Sequence, residues 1–185
     1  MGILFLIGPR ASGKTLAAKL LGAMYACRTC DTDRLVLAAE GRSIADIVAE
    51  EGWEVFRAVE KKVLAEAARR MTADVGTPAV IATGGGVVLD QENRELMREA
   101  GTVAYLNAPA DVLISRLTRV FQGPDSGEIS RPPLTNLDFA DEIRATLTAR
   151  DPLYRETAHH IVNAALEPEI IAGMLHDIAS MEEGT

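Results

Sequence analysis

Short apolar runs alternate along this chain with longer segments whose apolar residues recur every three or four positions. The runs suit buried strands and the longer segments suit helices packed on one face, so the alternation predicts βαβ units around a parallel sheet. Strands are expected at Ile3–Ile7, Arg28–Asp31, Ala79–Ala82, Val103–Leu106 and His160–Val162. Helices are expected in KTLAAKLLGAMY, SIADIVAEE, EVFRAVEKKVLAEAARRM, QENRELMREA, ADVLISRLTRV, DEIRATLTAR and EIIAGMLHDIAS. Ser43, with Asp46 three residues later, makes a variant capping box for the second of these. In the third, Val55, Phe56, Val59, Val63 and Ala67 share the face expected to be buried. One segment breaks the rhythm. FQGPDSGEISRPPLTN, 121–136, contains two glycines and three prolines and can be neither long helix nor strand. A loop of this length suits a mobile cover, or lid, over a site, with Arg131 stiffened by the two prolines after it.

Bulk properties narrow the class. With 185 residues, 48% hydrophobic and 25% charged, the chain fits one globular domain, 1–185, with a sizeable core. A net charge of −8 argues against nucleic acid or an acidic membrane surface as a partner. Any anion must then be held by a local cluster of Lys, Arg and backbone N–H groups. The apolar opening MGILFLIG has no basic residue ahead of it and is too short for an export signal or a membrane span, and no later segment is long enough. A cytoplasmic protein is expected, with Cys27 and Cys30 reduced and serving only in packing. His159, His160 and His176 show no metal-ligand spacing.

The strongest chemical signal is GPRASGKT: Gly8, Pro9, Arg10, Ala11, Ser12, Gly13, Lys14 and Thr15. It fits G-x-x-x-x-G-K-[ST] in full, with a strand leading in and a helix leading out. Such a P-loop turns its N–H groups around a polyphosphate, and the helix amino end adds partial positive charge. Lys14 is expected to reach the β- and γ-phosphates, and the Thr15 hydroxyl to ligate Mg²⁺. The Arg10 side chain can either touch the nucleotide or fold outward. There is no N-K-x-D motif to read guanine, and the strand that would carry a motor's acid ends in Thr83 and three glycines. The acid that steadies Mg²⁺ is therefore expected in CDTDR. Asp31 and Asp33, two apart on an extended segment, would face the same side. One can serve the metal while the other accepts the proton of an attacking hydroxyl. Asp33 also stands where a helix N-cap could be. Gly84, Gly85 and Gly86 let backbone approach a small ligand closely.

In their joint order, GPRASGKT, DTD, GRSIADIVAEEGWEVFR, ATGGG, RPPL and RDPLYRETA resemble the shikimate kinases nearly end to end. The resemblance implies a three-layer α/β/α P-loop fold with a five-stranded parallel sheet and a lid. It also implies ATP and Mg²⁺ as cofactors and phosphorylation of the shikimate 3-hydroxyl. Position by position, it assigns Asp33 to the hydroxyls of shikimate and Asp31, with Thr15, to the metal. Arg57 and Arg150 would grip the shikimate carboxylate, and Gly85 would offer its N–H to the substrate. Arg131 would close over the phosphates. Arg116 would pack on adenine, with the segment around Asn163 to Pro168 bordering it. A monomer acting on small molecules is expected. Rival readings are a kinase for another small polyol acid such as gluconate, a nucleoside-monophosphate kinase, and a nucleotide-binding module without catalysis.

Overall fold

The structure, a computed structural model, describes residues 2–73, 76–122 and 138–181, the side chains of 120–122 excepted. The expected lid, with Arg131, lies outside the described residues but for the backbone of 121 and 122. Five strands, β1 (Ile3–Ile7), β2 (Arg28–Asp31), β3 (Ala79–Ala82), β4 (Gly101–Asn107) and β5 (His160–Asn163), make one sheet in the order β2-β3-β1-β4-β5. All four pairings are parallel. The helices are α1 (Lys14–Tyr25), α2 (Thr32–Glu40), α3 (Ile44–Ala73), α4 (Gln91–Ala100), α5 (Ala110–Gln122), α6 (Phe139–Thr157) and α7 (Pro168–Met181), with a 3₁₀ turn at Val87–Leu89. Three strands keep their expected bounds, while β4 and β5 run slightly longer.

Central β1 explains why these strands read as runs rather than alternations. All five of its residues are buried, because helices cover both faces of the sheet. Leu4 and Leu6 pack with Ala17, Ala18 and Leu21 of α1 and with Ile171 and Leu175 of α7. Ile3, Phe5 and Ile7 face the other layer, where Leu64, Ala67 and Ala68 of α3 meet Met97 of α4 and Tyr154 of α6. The three-layer α/β/α expectation holds.

Two details of α3 matter for the site. Gly52 (φ 88°, ψ 172°) breaks the helix between the two segments expected from the sequence. Ser43 and Asp46 close the capping box at its start: the Ser43 N–H and hydroxyl donate to Asp46 Oδ2, and the Asp46 N–H donates to Ser43 Oγ. The buried face differs from expectation at Val55, which is exposed. The fully buried stripe runs through Phe56, Glu60, Leu64, Ala67 and Ala68, with Val59 and Val63 only partly covered. A pattern of apolar positions cannot register a carboxylate at the centre of a stripe, and Glu60 is 1% exposed.

Where β1 and β4 begin, Gly101 lies across from Ile3, and a Cβ there would sit 2.1 Å from the Ile3 carbonyl oxygen. Gly101→Ala should therefore push the two strand ends apart and lower the free energy of unfolding by about 1–3 kcal/mol. Urea titration would read this as a lower midpoint. An unchanged midpoint would mean that the strands have room to separate freely.

Candidate active site

In a parallel sheet the carboxyl ends of the strands form the ligand-binding edge. The loop after β1 is shaped there by steric demands. Gly8 has φ 142°, and a Cβ on it would lie 2.7 Å from the Leu106 carbonyl oxygen. Ala11 (φ 62°) and Gly13 (φ 96°) are both left-handed, so the loop curls back on itself before α1 begins. No side chain caps α1 and no acidic residue sits in its first turn, which leaves its amino end open to an anion. The buried Lys14 ammonium donates to the Gly8 and Pro9 carbonyls at 2.8 Å each and to Ser12 Oγ at 3.3 Å, bracing the loop from inside.

Asp31 works on two fronts. Its Oδ2 accepts from the Thr15 hydroxyl at 2.6 Å, and its Oδ1 accepts from the N–H groups of Asp33 (3.0 Å) and Arg34 (3.4 Å). It is thus the N-cap of α2, with extended backbone (φ −126°, ψ 121°), and the chain turns helical at Thr32. The two-residue periodicity expected to aim Asp31 and Asp33 together therefore does not apply, because the extended segment stops one residue too soon. The cap position considered for Asp33 belongs to Asp31. Asp33 sits half-buried in the first turn of α2. A hydroxyl and carboxylates are hard oxygen donors that suit Mg²⁺. Among the described residues no cluster of three or more His, Cys, Asp or Glu could cage a metal. That set fits an ion that keeps several waters and takes its remaining ligands from phosphate oxygens.

Beside this loop lies a cavity rich in arginine. Arg10, Arg57 and Arg150 line it together with Gly85, Trp53 and a face of α6 running from Phe139 to Leu147. Gly85 is packed against the P-loop: a Cβ on it would lie 3.3 Å from the Arg10 backbone nitrogen. Its carbonyl accepts from Arg150 Nη1 at 3.1 Å and from the Tyr154 hydroxyl. A Cβ on Gly86 would collide with the Arg57 guanidinium. Arg57 is ion-paired to Glu60 and lies 5.5 Å from the Trp53 ring centre and 5.1 Å from that of Phe56. Burial holds the Arg150 guanidinium below the ordinary arginine range, and the nearby Arg57 charge pulls the same way. Burial pushes the Tyr154 hydroxyl up to about 12, so it stays a donor. Several guanidiniums around one small cavity suit a compact carboxylate.

A second cavity is lined by Ala11, Ser12 and Gly13 of the loop, with Arg116, Arg119 and Pro168. Arg116 Nη1 donates to the Ala11 carbonyl at 3.4 Å. Arg116 and Pro168, both expected near adenine, thus meet beside the P-loop. Of the other expected site residues, Gly84 and Gly86 are buried behind the first cavity, and Asp33 is not part of its wall. Sequence reasoning missed Glu60, Tyr154 and Arg119. Each lies three or four residues after a chosen arginine (Arg57, Arg150 and Arg116), so helical spacing was the available signal. Both cysteines are free, and burial raises the Cys30 thiol to about 11, which keeps it protonated and inert at neutral pH. No helix among the described residues is long and apolar enough to cross a membrane.

Three comparisons bear on this geometry. The shikimate kinase family model matches residues 10–179. The shikimate kinase of Oleidesulfovibrio alaskensis is 47% identical over 172 residues, covering 93% of this chain and 94% of its own. Shikimate kinase 2 of an Enterobacter species is 43% identical, covering 90% of this chain and 88% of its own. Among solved structures, the shikimate kinase from Acinetobacter baumannii in complex with shikimate matches with a TM-score of 0.83 and 27% identity, over 100% of this chain and 96% of that one. A gluconokinase from Sinorhizobium meliloti matches at a TM-score of 0.55 and 14% identity, a likeness of fold alone.

Glycine at position 86 leaves the space that the Arg57 guanidinium fills. Gly86→Ala should displace that guanidinium, whose flexible end can move, and so weaken binding of a carboxylate ligand in the cavity. The expected loss is about tenfold, that of one charge-assisted hydrogen bond. Calorimetric titration would measure it. Unchanged affinity would mean that Arg57 does not serve the cavity from this position.

Proposed function

The chain belongs to the shikimate kinase family, and from that premise we propose how its side chains divide the labour of moving a phosphoryl group from ATP to shikimate. The reaction transfers the γ-phosphoryl of ATP to the 3-hydroxyl of shikimate, giving shikimate 3-phosphate and ADP. One observation carries the assignment: Arg10, Arg57 and Arg150 line a single cavity whose Gly85 wall rests on the P-loop backbone. A carboxylate gripped there would bring its ring hydroxyls up to the phosphate loop.

In this reading Arg57 and Arg150 take the shikimate carboxylate in forked bonds, with Arg10 adding positive charge from the loop side. Glu60 offsets part of that charge and fixes the Arg57 fork. Asp33 orders the hydroxyls and accepts the departing proton, and a loose transition state makes orientation the larger part of its role. Lys14 exchanges its loop carbonyls for phosphate oxygens and neutralises charge that spreads over the transferred group. Thr15 and Asp31 would hold Mg²⁺, which when bound supplies further neutralisation of the phosphates. Adenine lies between Arg116 and Pro168. Water must be kept from the site because it would otherwise take the phosphoryl group, and Arg131, the residue expected to close over the phosphates, lies outside the described residues.

A coupled assay of ADP release, with shikimate, with gluconate and without acceptor, tests the reading. Turnover that requires shikimate is expected, and turnover of gluconate alone would overturn it. Arg57→Lys should raise the shikimate KM at least about tenfold while leaving the ATP KM in place, because an ammonium cannot fork. Asp33→Asn should lower kcat by about 100-fold or more with ATP affinity near wild type. Equal loss of ATP binding would remove Asp33 from the chemistry.

A further inference from the structure

Tyr154 lies behind the acceptor cavity, fully buried, and its hydroxyl is aimed at the Gly85 carbonyl. A tyrosine hydroxyl so deep in the core needs a partner, and this one donates to the backbone of the triple-glycine turn while the Arg150 guanidinium lies against its oxygen. We propose that Tyr154 is a positioning residue for phosphoryl transfer. It pins the Gly85–Gly86 peptide plane so that the turn's backbone donors face the acceptor, in register with the P-loop. The inference rests on the shikimate reading above.

Four observations carry it. The peptide between Gly85 and Gly86 is trans, so holding the Gly85 C=O toward α6 sends the Gly86 N–H the opposite way. Among the described residues, the N–H groups of Gly85 and Gly86 make no hydrogen bond, whereas Gly84 N–H is committed to Thr32 Oγ1 and the Gly84 and Gly86 carbonyls to the following 3₁₀ turn. The turn thus presents two unused donors, and their aim depends on one carbonyl. That carbonyl has two donors: Arg150, whose guanidinium also lines the cavity, where a carboxylate would compete for it, and Tyr154, which is fully buried and lines no cavity. Finally, a Cβ on Gly85 would lie 3.3 Å from the Arg10 nitrogen and 3.4 Å from the Gly8 carbonyl oxygen, so little space separates this peptide from the P-loop and a tilt of it would move acceptor against phosphate. Glycine on both sides of the peptide supplies no side-chain restraint of its own. The ring of Tyr154 is in turn stacked on that of Tyr105 (4.9 Å between centroids), a contact of the rings that does not depend on the Tyr105 hydroxyl and that keeps the anchor in place.

A misplacement of a fraction of an ångström penalises the chemical step more than either ground-state complex. Tyr154→Phe keeps the ring and removes only the hydroxyl. It should lower kcat by about 10–100-fold, with the shikimate and ATP KM values within about threefold of wild type, the range expected when ground-state contacts are kept. Tyr105→Phe, one ring further back, is the comparison: it removes the hydroxyl of the neighbouring buried ring, which bonds Asp151 and not the glycine turn, and should cost stability while kcat stays near wild type. Amide hydrogen exchange without substrates gives a second readout. Gly85 and Gly86 should exchange faster in Tyr154→Phe than in Tyr105→Phe. A folded Tyr154→Phe enzyme with wild-type kcat, or with exchange at the two glycines unchanged, overturns the proposal, as does an equal kcat loss in both variants. If the wild-type protein did not turn over shikimate, the functional reading would fail first, and the exchange result would still decide whether Tyr154 governs the turn.

Discussion

Two anions must be held side by side by a protein whose own net charge of −8 repels both. That constraint orders the rest of the structure. A general positive field is not available, so attraction has to be local and dry. The groups available for it are the backbone amides at the start of α1, Lys14 folded inside its loop, and three arginines around one small cavity. Concentrating so many like charges would itself be costly. Glu60, buried against Arg57, and the carbonyl of Gly85, facing Arg150, are the counterweights that make the cluster tolerable before any ligand arrives.

Glycine is the material that lets these parts touch. Gly8 passes under the Leu106 carbonyl, Gly85 lies on the P-loop, and Gly86 leaves space for a guanidinium. The nucleotide half and the acceptor half of the site come from different loops at the end of the same sheet, and they meet at backbone rather than through side chains. A gluconokinase and this chain share the sheet but little sequence. A shared fold does not set the acceptor, which depends on the side chains of the site, and the cavity here includes three arginines and a tryptophan among its lining.

Much of this was legible in the sequence, for identifiable reasons. Buried strands in a parallel sheet are apolar at every position, so β1 and β3 could be bounded to the residue; the bounds of β2 were met as well, although RTCD is only partly buried and does not follow that pattern. The P-loop is a contiguous motif, and Arg57, Arg116 and Arg150 stand within recognisable strings. What stayed hidden depends on contacts across the fold. Glu60 is a charge in the middle of a buried stripe, and Tyr154 looks like any core aromatic until its hydroxyl is seen against Gly85. The strand periodicity invoked for Asp31 and Asp33 does not reach Asp33, because the chain turns helical at Thr32, directly after a correctly bounded strand. A strand and a helix aim successive side chains differently, so the spacing of two carboxylates cannot be carried past the end of the strand.

Asp31 joins the end of β2, the start of α2 and the hydroxyl of Thr15 through a single carboxylate. A duplicated copy of this gene, relieved of any metabolic duty, would still be held to aspartate here by the demands of its own architecture. Persistence of that residue in a diverged descendant would therefore say little about whether the descendant still works as an enzyme. Its neighbour two places on is not the cap, and the same architectural argument does not extend to it.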